Sequence, residues 1–423
     1  MLISQLSNGV EGLFIKTSKF KTSRISINMF VKADEKDTSA YSLLQLMLVN
    51  ATKNYPDYTS LNAALNELYG AALYGDVVKF GDMRIIKFVI AFLDDKFSLN
   101  GEKISKDAVG LLLSAIFDPP MYDGKFKEED FQNNKRLLIE QISGEINDKR
   151  LYAIVNTEKA MYENELSGVP RYGTVETVQS LTNETVVAAH KKLLKEAFVR
   201  VNIISQSEPN EIFDAVAQKF SALNRNVQKI NYSTHHKFGA DVKQIEERLD
   251  VTQGKLCMGF TVETDGTRED TAKAAVFVDM FGGGPYSKLF TNVREKQSLC
   301  YYCAARYNNK KSSFIVDSGV LHENREKAYN GILEQLDEMK KGNFTDEDLN
   351  ASKMALCDAV ASVSDLSANL DNWYSALVFD EDETAETYIE KINRVSMEDV
   401  IKKANSVKLD TVYFLGGLKG END

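Results

Sequence analysis

Histidine is scarce in this chain of 423 residues: there are four, His190, His235, His236 and His322, and no two stand four apart. A zinc site of the H-x-x-x-H kind needs two imidazoles one helical turn apart, so that arrangement is excluded. Cysteine is equally sparse, at Cys257, Cys300, Cys303 and Cys357. Four thiols in so long a chain are no disulfide framework, and they suit a reducing compartment. With 6 prolines and no Ser/Gly-rich tract, nothing resembles a low-complexity spacer. No run approaches ~18 uninterrupted apolar residues, so no segment is expected to cross a bilayer. The stretch from Met1 to Lys21 lacks the charged-then-apolar order of a secretion signal. Bases are outnumbered, 51 against 62 acids, and the net charge of −11 would be repelled by a phosphate backbone, which argues against a nucleic-acid partner. What remains is an ordinary globular balance, 43% apolar and 27% charged, that rules out wholesale disorder. A soluble, cytoplasmic protein of two to four domains is expected.

The few candidate metal and redox residues read as structural. Cys300 and Cys303 form a C-x-x-C inside an aromatic-rich run, Leu299 to Ala304, with the character of a strand. Residues three apart on a regular strand point to opposite faces, so the two sulfurs are expected to diverge. His190 lies on an amphipathic helix as a surface or packing residue, and His235 and His236 fall in a polar stretch that reads as linker. Gly282 to Gly284, followed by Pro285, superficially suggests a phosphate loop, but no G-x-x-x-x-G-K-[ST] follows and a turn is the expected reading. The acidic run from Asp380 to Glu386 is expected to form a solvated turn and helix start.

The chain is built twice. The stretch beginning Phe126-Lys-Glu-Glu-Asp-Phe recurs 218 residues on, as Phe344-Thr-Asp-Glu-Asp-Leu. Each copy opens with an acidic first turn, favourable at the positive end of a helix dipole, and runs into an apolar-periodic helix. A helix capped by Thr182 and followed by a strand at Val199 is matched 214 residues later by one capped by Ser396 and followed by a strand at Thr411. Near the start of each half a strand, at Arg24 and at Lys255, leads into an apolar helix. The strand runs Asp76–Phe80 and Arg84–Phe92, separated by Gly81-Asp82, read as a hairpin. The expected fold is α+β: two homologous α/β sandwich domains, 1–228 and 229–423, each a mainly antiparallel sheet packed with helices on one face, with the join in 225–245.

The order of these pieces resembles the pitrilysin/insulinase superfamily of zinc peptidases, in particular its bacterial processing-peptidase-like branch, over essentially the whole chain. The run Phe281-Gly-Gly-Gly-Pro-Tyr-Ser-Lys-Leu-Phe-Thr-Asn-Val-Arg-Glu-Lys-Gln-Ser-Leu-Cys-Tyr is similar to the family's glycine turn, S-[RK]-L-F and R-E-K-x-x-L-x-Y signature. The resemblance places the family's inverted zinc motif, H-x-x-E-H, on the helix that contains Ser42, Gln45 and Leu46. In an intact motif the two ligands and the base share one helical face, the metal polarises a carbonyl and activates water, and the glutamate takes the proton. Leucine has no lone pair to give, and the amide of Gln45 is no carboxylate base. The family's distal glutamate ligand falls at Glu140 or Gln141. Read without the family, the same stretch is a buried apolar helix, and the two readings agree.

In the family's paired form, an arginine and a tyrosine seven residues later reach the active site of a zinc-bearing sibling, and here they correspond to Arg294 and Tyr301. A guanidinium offers planar, permanently charged donors, and a phenol can donate to a developing oxyanion. The bland alternative is an Arg294 paired with a nearby acid and a Tyr301 packed in a sheet. The resemblance implies a non-catalytic subunit that binds no cofactor itself, joins a zinc-bearing sibling as a heterodimer and receives peptides or unfolded small proteins. A structural or regulatory homologue, or a zinc endopeptidase with an unrecognised metal site, are the other readings.

Overall fold

The computed structural model describes residues 2–229, 241–378 and 383–418. His235 and His236, with the middle of the expected join, and the opening Asp380–Asp382 of the acidic run lie outside the described residues. The chain forms two compact units, and neither is one continuous stretch. The first takes Met1–Ser143, Val169–Asn231 and Ser364–Glu381; the second takes Gly144–Gly168, Tyr232–Val363 and Asp382–Asp423. A single cut at 228/229 accounts for the sheets but misplaces two helices, Lys149–Met161 and Ser367–Ala376, each of which joins the unit built from the other half.

In the first unit, strands β1 (Leu2–Ser7), β2 (Val10–Lys16), β3 (Thr22–Lys32), β4 (Ala72–Phe80), β5 (Met83–Leu93) and β8 (Phe198–Ser205) form one sheet in the order β1-β2-β8-β3-β5-β4. A separate two-stranded ribbon pairs β6 (Met121–Tyr122) with β7 (Lys125–Phe126). All pairings in the large sheet are antiparallel except β2 with β8. The β4–β5 hairpin turns at Gly81-Asp82, with Gly81 at φ +56°, where the missing Cβ removes the steric cost. Alternate residues of β3, Ile25, Ile27 and Met29, enter an apolar core with Leu43, Leu44, Leu112 and Val186 from the helices Glu35–Leu48, Ile104–Phe117 and Asn183–Glu196. That burial is the main driving force for the layer. His190, on the last of these helices, is a packing residue: it is buried, its Nε2 lies 2.7 Å from the Ile116 carbonyl, and burial lowers its pKa.

The intervening residues of β3, Arg24, Ser26 and Asn28, are also buried, and that accounts for the exchanged helix. Register places Glu11, Arg200, Asn28, Lys87 and Asp76 in one row across the second face of the sheet. The helix Ser367–Ala376 covers this polar face with Asp371, whose carboxylate lies 2.8 Å from Arg24 Nε and 2.7 Å from Lys87 Nζ. Asn202 Nδ2 donates to the same carboxylate at 2.9 Å. A charged row of this kind can be buried only by a partner that neutralises it.

The second unit repeats the design. Strands β9 (Lys243–Leu249), β10 (Gly254–Thr261), β11 (Cys300–Asn308), β12 (Ser313–Val320) and β13 (Lys408–Gly417) are ordered β11-β12-β10-β13-β9, antiparallel except β13 with β9. Matched strand for strand, this is the first sheet without β1, so β11 occupies the edge that β4 holds there. Helices Glu128–Gly144 and Asp346–Ala361 start 218 residues apart, and Thr182 and Ser396 cap Asn183–Glu196 and Met397–Ser406. The exchanged helix Lys149–Met161 covers the second face, and Arg150 Nε meets the buried Asp317 of β12 at 2.5 Å.

Burial alone would raise the Asp371 carboxyl, but the charges of Lys87 and Arg24 and the bonds from Lys87 and Ser26 hold it below its ordinary value. Burial pushes the Lys87 ammonium down, and Asp371 only partly offsets this because Arg24 adds repulsion. The carboxylate is therefore the member on which the cluster depends. Asp371→Asn should cost about 3–5 kcal/mol in urea unfolding, because two cations stay buried without a counter-charge. Lys87→Met should cost a fraction of that, since Arg24 still neutralises Asp371. With a folded pKa below the unfolded one, the contribution of Asp371 is complete above about pH 4 and is lost as pH falls through the folded value. Asp371→Asn should accordingly flatten the acid limb of the stability profile.

Candidate functional site

The residues at the zinc-motif positions are locally finished. The helix Glu35–Leu48 is capped by Asp34, which accepts from the backbone N–H groups of Lys36 and Asp37, and it is buried almost throughout Thr38–Leu48. Ser42 is fully buried and donates its hydroxyl to the Thr38 carbonyl at 2.7 Å. Gln45 Nε2 donates to the Ser42 carbonyl at 3.2 Å. Its Oε1 is buried and has no hydrogen-bond partner among the described residues. It lies against Gly75 of β4, where a Cβ would come within 2.4 Å of that oxygen, so Gly75 is what makes room for the amide. Leu46 is half-buried and packs on the apolar core.

The distal position adds nothing to this helix. Glu140 and Gln141 are exposed on Glu128–Gly144, and Glu140 pairs with Arg136 at 2.7 Å. One tie between the two helical regions is the hydrogen bond from Asn50 Nδ2 to Asn134 Oδ1, at 3.2 Å. Among the described residues no three His, Cys, Asp or Glu side chains are grouped so as to hold a metal ion. A serine turned into its own helix, an amide and a leucine do not fit zinc, and no step can be routed through a metal at these positions.

Arg294 and Tyr301 are brought together. Arg294 lies on a π-helical segment, Leu289–Lys296, whose wide turn shows in the bond from Gln297 N–H to the Asn292 carbonyl at 3.1 Å. The chain reverses through Ser298 at φ +53° and enters β11. There the pairing slips: Cys300 faces Val320 but Tyr302 faces Gly319, so Tyr301 is the extra residue of a β-bulge on an edge strand. The bulge turns the phenol outward, leaving Tyr301 58% exposed. It also leaves the Tyr301 carbonyl to accept from Arg294 Nε at 2.9 Å. Arg294 Nη1 pairs with Glu295 at 2.5 Å, and the guanidinium lies 4.5 Å from the centre of the Phe290 ring. The pairing with a nearby acid expected of a structural arginine is present; the packing expected of a structural tyrosine is not. No sequence signal marks Gly75 as the residue that makes room for Gln45 or Ser298 as left-handed; both are visible only in the backbone.

The bulge also corrects the expectation for the C-x-x-C. With one extra residue between them, Cys300 and Cys303 return to the same face of β11, facing Val320 and Ser318. The Cys303 thiol interacts directly with the Cys300 sulfur. Both are free thiols.

The orphaned Oε1 of Gln45 makes a prediction for the degenerate helix. Gln45→Met keeps the volume and removes the unsatisfied acceptor, and should stabilise the protein by about 1 kcal/mol in denaturant unfolding. A loss of comparable size would show that the amide has a role that its surroundings in the fold do not account for.

Comparison with known proteins bears on both sets of residues. The family model for the "Peptidase M16 inactive domain" matches residues 180–356, which include Arg294 and Tyr301. The chain is 28% identical over 413 residues to the "Probable inactive metalloprotease YmfF" of Bacillus subtilis, covering 97% of each chain. It is 21% identical over 320 residues to the "Uncharacterized zinc protease YmxG" of the same organism, covering 74% of this chain and 76% of that one. Among solved structures, a conserved protein from Enterococcus faecalis superposes with a TM-score of 0.90 at 26% identity, covering 100% of this chain and 99% of that chain. By these matches the chain is similar over residues 180–356 to the inactive domain of the M16 peptidases, and over nearly its whole length to a relative named a probable inactive metalloprotease.

Proposed function

We propose that this chain is the substrate-binding, non-catalytic subunit of a heterodimeric zinc metallopeptidase. In this reading a zinc-bearing sibling supplies metal and general base, and Arg294 and Tyr301 are offered to its active site for peptide hydrolysis. The observation that carries it is the contrast between the two sets of inherited positions. Ser42 and Gln45 have turned their donors into their own helix, whereas the Arg294–Tyr301 unit stands on a bulged edge strand with the phenol exposed. The arginine's Nε bond fixes the pair to one backbone, as a group acting across an interface must be fixed. That one organism carries both a relative named inactive and a relative named a zinc protease is in keeping with a division of labour. Substrates would be peptides or unfolded small proteins. No helix among the described residues is long and apolar enough to cross a membrane, and a cytoplasmic setting is part of the proposal.

A structural or regulatory role without hydrolysis is the second reading. It is favoured by the two Arg294 nitrogens already engaged within the chain. The test is to co-purify this chain with a zinc-motif-bearing sibling from the same genome and follow cleavage of a quenched peptide. The pair should be active and each chain alone inactive. Arg294→Ala should lower kcat/KM by about 10²-fold, and Tyr301→Phe should lower kcat with little change in KM, as expected for a donor used in the transition state. Unchanged turnover in both variants would leave the structural role. Tight one-to-one zinc on this chain alone would favour an active endopeptidase with its own metal.

A further inference from the structure

The slip in β11 creates a dithiol that the strand's regular geometry would forbid. Cys300 faces Val320 and Cys303 faces Ser318, so three residues along β11 span only two along β12. At a rise of roughly 3.3 Å per residue, the two cysteine Cα atoms are separated by about 7 Å, just past the usual span of a disulfide, so closure requires the backbone to bend. A bulge is also the place where a strand bends most readily. Cys300 is half-buried and Cys303 buried, so Cys300 is the more accessible of two cysteines that lie side by side on one face of the strand.

We propose that Cys300 and Cys303 form a reversible intrastrand disulfide by exchange with low-molecular-weight disulfides, with Cys300 as the attacking thiol and Cys303 as the resolving one. The Cys300 thiolate attacks one sulfur of the small disulfide, forming a mixed disulfide and expelling one small thiolate. Cys303 then gives its proton to solvent, attacks the Cys300 sulfur and expels the second. The protein dithiol is oxidised by two electrons, and the small disulfide is reduced to two thiols. The surroundings of each sulfur suit its part. The hydrogen bond from Cys303 does most to hold the Cys300 thiol below its ordinary value against the effect of burial, and Ser318 and the charge of Arg294 add to it. That same bond, together with burial, raises the Cys303 thiol, and its influence ends once Cys300 has become an uncharged mixed disulfide. The other cysteines are unsuited: burial pushes Cys257 up to about 12, and it raises Cys357 as well. A bridge near the geometric limit is strained, hence readily reduced, which is the character of a regulatory disulfide.

Closure would tighten the backbone at Tyr301, whose carbonyl accepts from Arg294, so the bridge would act on the residue pair that sets this unit apart. The dithiol chemistry itself does not depend on the proposed function. The folded full-length protein is incubated with oxidised glutathione, quenched in acid and examined by intact mass and peptide mapping. The wild type should lose two hydrogen atoms, with the bridge located between Cys300 and Cys303, and a dithiol reductant should restore the original mass. Cys303→Ser should accumulate a single glutathione adduct on Cys300. Cys300→Ser should react at least 10-fold more slowly than wild type. A wild type that accumulates a stable adduct on Cys300 without losing two hydrogens would overturn the proposal. So would equal reaction at Cys257 or Cys357, or a folded protein inert under conditions in which the unfolded chain reacts.

Discussion

A single buried carboxylate decides how the first unit can be closed. The second face of its sheet carries Arg24, Lys87 and Arg200, all but removed from water, and no apolar helix could cover that face without stranding charge. Asp371 is the counter-ion for two of the three, and Glu11 for the third. The helix that bears Asp371 comes from the other half of the chain, so the duplication is not a matter of two self-sufficient copies. The second unit meets the same requirement with the signs exchanged: the acid, Asp317, is on the sheet and the base, Arg150, on the exchanged helix. What the two halves share is neutralisation of a buried face, with different residues achieving it. The second unit relies on charge less, since Ala153 packs there with Cys257, Ile315, Tyr413 and Leu415, and Gly259 admits Met161 and Thr157 close to the backbone.

A second constraint is the parity of β11. One inserted residue sends the Tyr301 ring to solvent, frees a carbonyl for Arg294 and returns Cys300 and Cys303 to a common face. These are three consequences of one backbone event. The π-helical turn that precedes it delivers Arg294 to that carbonyl, and the left-handed Ser298 reverses the chain between them. An arginine–tyrosine pair seven residues apart is thus a structural unit before any ligand is considered.

How much of this was legible in the sequence depends on the range of the interaction concerned. The caps at Thr182 and Ser396 and the acidic first turns after Phe126 and Phe344 are local signals, and each appears where its residues predict it. The strand pairs followed from alternation and a glycine turn. That Ser42, Gln45 and Leu46 offer no ligand set for zinc belongs to the residue types and needs no coordinates. The exchanged helices were not legible, since nothing local to Asp371 or Arg150 says which sheet will need its charge. Nor was the bulge: the sequence around Cys300 fits a regular strand, and the slip exists only in the register against β12. The divergence expected of the two sulfurs followed correctly from regular geometry and failed because that geometry is broken at one residue.

The converted helix and the bulged strand differ in what their polar groups still require. Ser42 and Gln45 spend their donors on carbonyls one turn away, the remaining Gln45 oxygen is enclosed against Gly75, and Leu46 contributes packing. A ligand arriving there would have to displace bonds already made and would gain only an amide oxygen in exchange. Arg294 also spends donors at home, on Tyr301 and Glu295, yet these bonds orient the guanidinium and leave Nη2 without a protein partner among the described residues. The phenol beside it is solvated, so recruiting it costs desolvation of one hydroxyl and disrupts no packing. A ligand would therefore meet the Arg294–Tyr301 unit at small cost, whereas the donors of Ser42 and Gln45 are spent on the fold.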